Sequence, residues 1–190
     1  VLVLSENELI AKAAKGDISA FEQLVADYQS MVYNIALKLL CNTEDAADAA
    51  QDALIKVYRN IGSFNGKSKF STWIYRITYN TCLDKMRKSK NQEYELLDDT
   101  AVDTAPTPQS ALMDKERAQI IQKAIYSLPH DQKTVIVMRD IHGLSYDEIA
   151  DVLNCSLGTV KSRINRARIK LREMLSDYLE QKAHAKRHNN

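Results

Sequence analysis

The chain is predicted to be all-α, with two helical domains joined by an extended acidic linker. Apolar residues recur at spacings of three and four over most of the sequence, the signature of amphipathic helices. Only five Gly and three Pro interrupt 190 residues. The periodicity lapses once, between Asn91 and about Ser110, and there the charge turns strongly acidic. These observations place one domain over residues 5–90, a linker over 91–112 and a second domain over 113–176.

The elements follow in order. Ser5-Glu6-Asn7-Glu8 is a capping box that opens a first helix running to Ala14. Lys15-Gly16-Asp17 breaks it. A second, long helix is expected to carry Phe21, Leu24, Val25, Tyr28, Val32, Ile35 and Leu39 on one face. Cys41-Asn42-Thr43 ends that helix, with Thr43 as cap of the next and Glu44 and Asp45 set against its dipole. Ala47, Ala50, Leu54, Val57 and Ile61 form the stripe of this third helix. Gly62 to Lys69 reads as a loop, and a fourth helix from near Ser71 turns Trp73, Ile74, Ile77 and Leu83 inward.

In the linker, Asp98, Asp99 and Asp103 accompany Pro106 and Pro108, which lack the donor a helix needs. Beyond it Met113 to Leu128 is helical, and Pro129 starts a helix reaching about Ile141. Ser145-Tyr146-Asp147-Glu148 is a second capping box. Its helix runs to Leu153, and Asn154-Cys155-Ser156 turns the chain into the last one.

Composition excludes several classes. At 45% hydrophobic and 27% charged residues the chain is globular. No apolar run approaches the roughly 20 residues that span a bilayer, and the opening Val1 to Leu4 lacks the basic flank of a signal peptide. Cys41, Cys82 and Cys155 are odd in number and widely spaced, which favours reduced thiols and a cytoplasmic location over a disulfide framework. His184 and His188 stand four apart, a spacing that suits a metal, but in a basic tail a frayed end is the better reading. No metal or other cofactor is expected.

The net charge of +1 conceals segregation. Residues 84–90 carry four basic groups against one acidic, a net +3, and residues 156–190 carry nine against three, a net +6. Between them residues 91–116 carry seven carboxylates and one Lys, a net −6. Two basic patches separated by an acidic stretch point to two polyanion contacts with something different between them.

The final basic region has the grammar of a helix-turn-helix, in which a first helix braces and a second enters the major groove. Leu144, Ile149, Ala150 and Leu153 face the core from the brace. Val160, Ile164, Ala167 and Leu171 do so from the reader. The opposite face then presents Lys161, Ser162, Asn165 and Arg166, flanked by Arg163 and Arg168. Lys and Arg donate to guanine O6 and N7, and Asn pairs with adenine. Ser156 and Thr159, in the first turn, suit phosphate.

The first half mixes aromatic and basic residues around the fourth helix. Aromatic planes stack on unpaired bases and nearby cations hold the backbone, a combination suited to single-stranded nucleic acid. Phe70, Trp73 and Ile77 fit a core better than a stacking platform. Tyr75, Arg76, Tyr79 and Asn80 are the candidates for the open side, with Phe64, Asn65, Lys67 and Lys69 in the preceding loop. The third helix carries Glu44, Asp45, Asp48, Gln51 and Asp52, either a solvated face or a surface for a protein.

Three stretches together resemble the extracytoplasmic-function (group 4) sigma factors of bacterial RNA polymerase. They are Asp48-Ala-Ala-Gln51-Asp52-Ala-Leu54, Phe64-Asn-Gly66 through Phe70-Ser-Thr72-Trp73-Ile-Tyr-Arg76-Ile77, and Gly143-Leu-Ser145-Tyr-Asp-Glu148 through Gly158-Thr-Val160-Lys-Ser-Arg163-Ile. Order, spacing and length fit over nearly the whole chain. Relatives usually carry Glu and Phe where Asp52 and Leu54 stand, and often Arg at Lys161.

The resemblance implies a σ2 domain over residues 5–90 and a σ4 domain over 113–176. Asp48, Gln51 and Asp52 match the motif that binds the β′ clamp helices of core polymerase, and the β flap is a further expected partner. The Phe64–Lys69 loop matches the one that captures a base flipped from the −10 element, and the fourth helix contacts that element. The helix-turn-helix would read the −35 element of promoter DNA. The linker would thread the active-centre cleft, and an anti-sigma factor would supply restraint. No catalytic activity and no membrane insertion are implied.

Two other readings compete. An ordinary helix-turn-helix regulator would need a sensor or dimerisation domain, and no alternating strands of a receiver are visible. A recombinase would need a nucleophilic Ser or Tyr among clustered Arg or carboxylates. Ser63 and Tyr75 lie near basic residues without such a cluster.

Overall fold

The computed structural model describes residues 4–92 and 109–188, with side chains described over 4–88 and 118–176. All regular elements among the described residues are helical, and the chain divides into two compact units. The acidic run with Asp98, Asp99, Asp103, Pro106 and Pro108 lies outside the described residues, as do the side chains of His184 and His188.

The first unit opens with α1 (Glu6–Ala13), capped reciprocally: Glu8 N donates to Ser5 Oγ at 3.4 Å and Ser5 N to Glu8 Oε2 at 2.8 Å. Gly16, at φ +92°, turns the chain, and Asp17 caps α2 (Ile18–Ala26) by accepting from Ala20 N at 3.0 Å. The long helix expected over 21–39 is two helices, because the chain breaks at Asp27–Tyr28 before α3 (Gln29–Leu40). At the break Tyr28 N donates to Val25 O at 2.9 Å, and its side chain packs edge-on against Phe70, ring centroids 5.5 Å apart, and donates its hydroxyl to Glu6. The apolar spacing runs on across the break because both pieces bury into one core.

Cys41, left-handed at φ 62°, ends α3. Asn42 rather than Thr43 caps α4 (Thr43–Asn60), its Oδ1 accepting from Asp45 N at 2.9 Å. The buried stripe of α4 is Ala46, Ala49, Ala50, Ala53 and Val57, so Ala47, expected inside, is exposed. Short side chains there let α3 approach closely. A 3-10 turn (Ile61–Ser63) and a loop lead into α5 (Phe70–Gln92). Leu24, Val32, Val57, Ile61, Phe70 and Ile74 pack at the centre of the unit.

The second unit begins with α6 (Gln109–Tyr126), so residues 109–112, expected in the linker, are helical. Pro129 introduces α7 (His130–Ile136), which widens into a π turn over Val137–Ile141. His142 N donates to Val137 O at 3.0 Å, and Gly143, at φ +72°, completes the exit. Residues Thr134 through Met138 are all buried, more of one circumference than a regular helix would turn inward. Then come α8 (Tyr146–Leu153), with its capping box intact, and α9 (Leu157–His188) after Asn154 in the left-handed region at φ 49°. Ile125, Leu128, Ile136, Val137 and Ala167 form a core with Leu171 against it.

Candidate nucleic-acid interface

The reader helix is built as its apolar spacing demands. Val160, Ile164 and Ala167 are at most 2% exposed and Leu171 is half-buried, so the stripe seals α9 onto α7 and fixes which residues face out. Those are Lys161, Ser162, Asn165 and Arg166, all exposed. From the brace Ile149 is buried as expected, while Leu144, Ala150 and Leu153 are half-buried and Val152, unforeseen, is buried at 4%.

Side-chain bonds organise this face. Ser156 Oγ accepts from Thr159 N at 3.2 Å and lies 2.9 Å from Thr159 Oγ1, so Ser156 closes the first turn of α9. Ser162 Oγ donates to Thr159 O at 3.0 Å and receives Arg166 Nη2 at 3.3 Å, while Arg166 Nε reaches Ser162 O at 3.3 Å. Arg166 is thereby laid along the helix.

Two flanking residues have carboxylate partners within the unit. Arg163 pairs with Asp131 at 3.5 Å, and Arg168 grips Asp140 with Nη2 to Oδ1 at 2.6 Å and Nε to Oδ2 at 3.3 Å. Both guanidiniums, expected to flank DNA, face carboxylates of their own unit.

In the first unit Tyr75 and Tyr79 are buried, at 1% and 9% exposure, and their expected place on a nucleic-acid face is corrected. Burial raises the Tyr75 phenol far above its ordinary range, with Cys82 and Tyr79 as lesser causes. The inward face of α5 also carries Thr78 and Thr81, whose hydroxyls bond the helix's own carbonyls: Thr78 to Ile74 O at 2.9 Å and Thr81 to Ile77 O at 2.8 Å. Arg76 is half-buried and Asn80 exposed.

Phe64, expected among the nucleic-acid contacts of the loop, sits in an aromatic cluster. It is half-buried, edge-on to Phe70 at 5.2 Å and tilted against Trp73 at 5.5 Å, while Phe70 and Trp73 stack at 5.6 Å. The loop beyond it stays open: Asn65, Lys67 and Lys69 are exposed. Asn65 Oδ1 accepts from Lys67 N at 3.1 Å across Gly66, at φ +69°, an Asx turn that fixes the loop's bend.

Asp48, Gln51 and Asp52 are all exposed on α4. Two features there went unseen in the sequence. Lys85 of α5 reaches Asp48 Oδ2 at 3.2 Å and Asp45 Oδ1 at 3.5 Å. Beside Gln51 an apolar groove of about 630 Å³ is lined by Ile18, Phe21, Val25, Leu54, Ile55 and Tyr58 among others. Ile18, Ile55 and Tyr58 are 60%, 42% and 40% exposed, so Gln51 borders an open hydrophobic surface, a feature common at protein interfaces. Only Leu54, in the motif, hinted at it.

Among the described residues no cluster of His, Cys, Asp or Glu is arranged to hold a metal ion, and no helix is long and apolar enough to cross a membrane.

Comparison with known proteins agrees with this division. Residues 24–92 match the Sigma-70 region 2 family model and residues 118–171 match Sigma-70, region 4. The chain is 39% identical over 180 residues to the ECF RNA polymerase sigma factor SigW of Bacillus subtilis, covering 88% of this chain and 95% of that protein. It is 35% identical over 175 residues to the ECF RNA polymerase sigma-E factor of Escherichia coli K12, covering 87% and 91%. Among solved structures it resembles the sigma factor RpoE of Bartonella quintana in complex with the anti-sigma factor NepR, with a TM-score of 0.68, 28% identity and coverage of 82% and 96%. It also resembles CnrH in complex with the cytosolic domain of CnrY, with a TM-score of 0.66, 28% identity and coverage of 89% and 96%.

Proposed function

The chain belongs to the extracytoplasmic-function sigma factors of RNA polymerase, and from that premise we propose which residues carry each part of the work. The chain is an alternative sigma factor that directs promoter-specific initiation, without catalytic activity of its own. Residues 5–90 act as σ2 and 113–176 as σ4, joined by the acidic linker. The observation that carries the reading is the sealed and sided α9: its stripe is buried while Lys161, Ser162, Asn165 and Arg166 stand exposed.

Lys161, Asn165 and Arg166 read base edges of the −35 element in the major groove, where their donors match guanine and adenine. Ser162 steadies Arg166. Ser156 and Thr159, at the start of α9, lie where phosphate is met by a helix N-terminus. Arg163 and Arg168 are engaged by carboxylates and serve the unit's own packing.

In σ2, Asn65, Lys67 and Lys69 of the loop hold the flipped base and its backbone, and Arg76 and Asn80 of α5 contact the −10 strand. Flipping costs a few kcal/mol of unstacking, which a preshaped cationic loop offsets. Asp48, Gln51 and Asp52, with the groove beside them, bind the β′ clamp helices of core polymerase, and σ4 meets the β flap. Control by an anti-sigma factor follows the pattern of the relatives solved with such partners.

The test is transcription by core polymerase with and without this chain across a genomic promoter library. A discrete set of start sites that depends on the chain and on a shared −35 sequence is expected. No dependent start site, or tight binding to duplex operators without polymerase, would overturn the reading.

A further inference from the structure

Asp140 sits in the π turn, ahead of the brace helix, and reaches the reader. Its carboxylate receives both Nη2 and Nε of Arg168 on α9, at 2.6 and 3.3 Å, a two-point contact in which the guanidinium plane is fixed. Next to it, Arg139 lies over the ring of Tyr146, the first residue of α8, 5.1 Å from the centroid. Arg139 Nη1 also donates to Leu144 O at 2.8 Å. Asp140, and secondarily Tyr146, raise Arg168 above its ordinary value. One cluster therefore ties the π turn, the brace and the reader together.

The apolar stripe alone leaves a degree of freedom. Contacts through Val160, Ile164 and Ala167 decide which face of α9 turns inward, but hydrophobic contact is non-directional and resists sliding and tilting weakly. Arg168 stands two residues beyond Arg166, on the same rigid helix. A shift at Arg168 is carried along a helix that rises about 1.5 Å per residue, straight to the residues that face bases. The π turn places Asp140 on the side of its segment that faces α9, while the preceding residues through Met138 stay buried.

We propose that Asp140, acting through Arg168, is a positioning residue that sets the register and tilt of the reader helix against the −35 bases. This rests on the −35 reading proposed above. It also gives Arg168 a role other than phosphate binding.

The experiment uses holoenzyme assembled from the full chain and core polymerase. The DNA is a promoter fragment recovered with the wild-type protein and the same fragment with its −35 scrambled. Asp140→Asn should lower the ratio of cognate to scrambled affinity by about fivefold or more, the loss of one base contact. Affinity for the scrambled fragment and the slope of log affinity against log salt should not change. The charge swap D140R with R168D should recover the ratio that each single change loses.

A lower melting temperature with an unchanged ratio would reduce Asp140 to a structural role and overturn the proposal. So would tighter binding of D140N to both fragments with a salt slope steeper by about 0.9, since Arg168 would then be a phosphate contact held back by Asp140. A wild-type holoenzyme indifferent to the −35 sequence would overturn the promoter reading itself, and this inference with it.

Discussion

Arg166→Ala tests the groove reading directly, and its size can be worked from the surroundings of Arg166. The side chain is exposed and held by two contacts to Ser162, both at 3.3 Å. These are long beside the usual 2.9–3.0 Å, so little is lost when the guanidinium turns from the helix to a base. Removing it opens no cavity, and the fold should keep its stability within about 0.5 kcal/mol. The effect on DNA is then the contact itself, about 1–3 kcal/mol for a bidentate pair, or roughly 5- to 150-fold in affinity. The assay is holoenzyme binding to a cognate fragment and to one with a scrambled −35, each over a range of salt. The loss should fall on the cognate fragment alone. Equal loss on both, with the salt slope reduced by about one, would refute the base contact and leave Arg166 touching phosphate only.

Asp48→Arg should weaken association with core polymerase by at least about tenfold, because it puts a like charge where a cation is met; titration of core with labelled protein checks it, and unchanged affinity removes Asp48 from the clamp assignment. Ile164→Ala, at a position 2% exposed, should cost the second unit about 2–5 kcal/mol, seen as earlier melting of that unit while the first keeps its own transition. Cys82 offers a pH test. Burial, only partly countered by Lys85 and Lys56, pushes its thiol up from about 9 to about 12. The unfolded chain loses that proton first, so the contribution is complete below about pH 9 and is lost as pH rises towards 12. Denaturation at pH 8 and pH 10.5 should show wild type losing more stability than Cys82→Ala, and parallel losses would contradict the burial argument.

What was legible in the sequence is what local chemistry decides. The capping boxes at Ser5 and Ser145 form between residues three apart, and the reader's stripe at Val160, Ile164, Ala167 and Leu171 is a periodicity that one helix satisfies alone. The break at Tyr28 was hidden because no Gly or Pro causes it. The aromatic partner of Tyr28 there, Phe70, lies far along the chain. The inward face of α5 was hidden for another reason. Thr72, Thr78 and Thr81 count as polar on any scale, yet Thr78 and Thr81 satisfy their hydroxyls on their own helix and become buried. That turned Tyr75 and Tyr79 inward as well. Arg168 with Asp140, 28 residues away, and Lys85 with Asp48, 37 away, were beyond reach. A charge in a sequence does not reveal whether its partner is DNA or a distant carboxylate.

The packing of Phe64 bears on how the loop proposed for the −10 element would hold an unpaired strand. A ring free to stack would have made the loop a flexible platform that gains order only when a base arrives. Instead Phe64 is packed with Phe70 and Trp73, and Tyr28 also packs edge-on against Phe70. The five residues from Asn65 to Lys69 are thus flanked by packed rings, half-buried Phe64 before them and buried Phe70 after, and the Asn65 turn over Gly66 bends them further. Most of the entropy of ordering that loop is lost during folding, before any nucleic acid is met. A flipped base then has only its own unstacking to overcome, against polar and cationic groups already in place. On the proposed −10 reading, the aromatic residues would serve the melted strand indirectly, by holding the loop rigid.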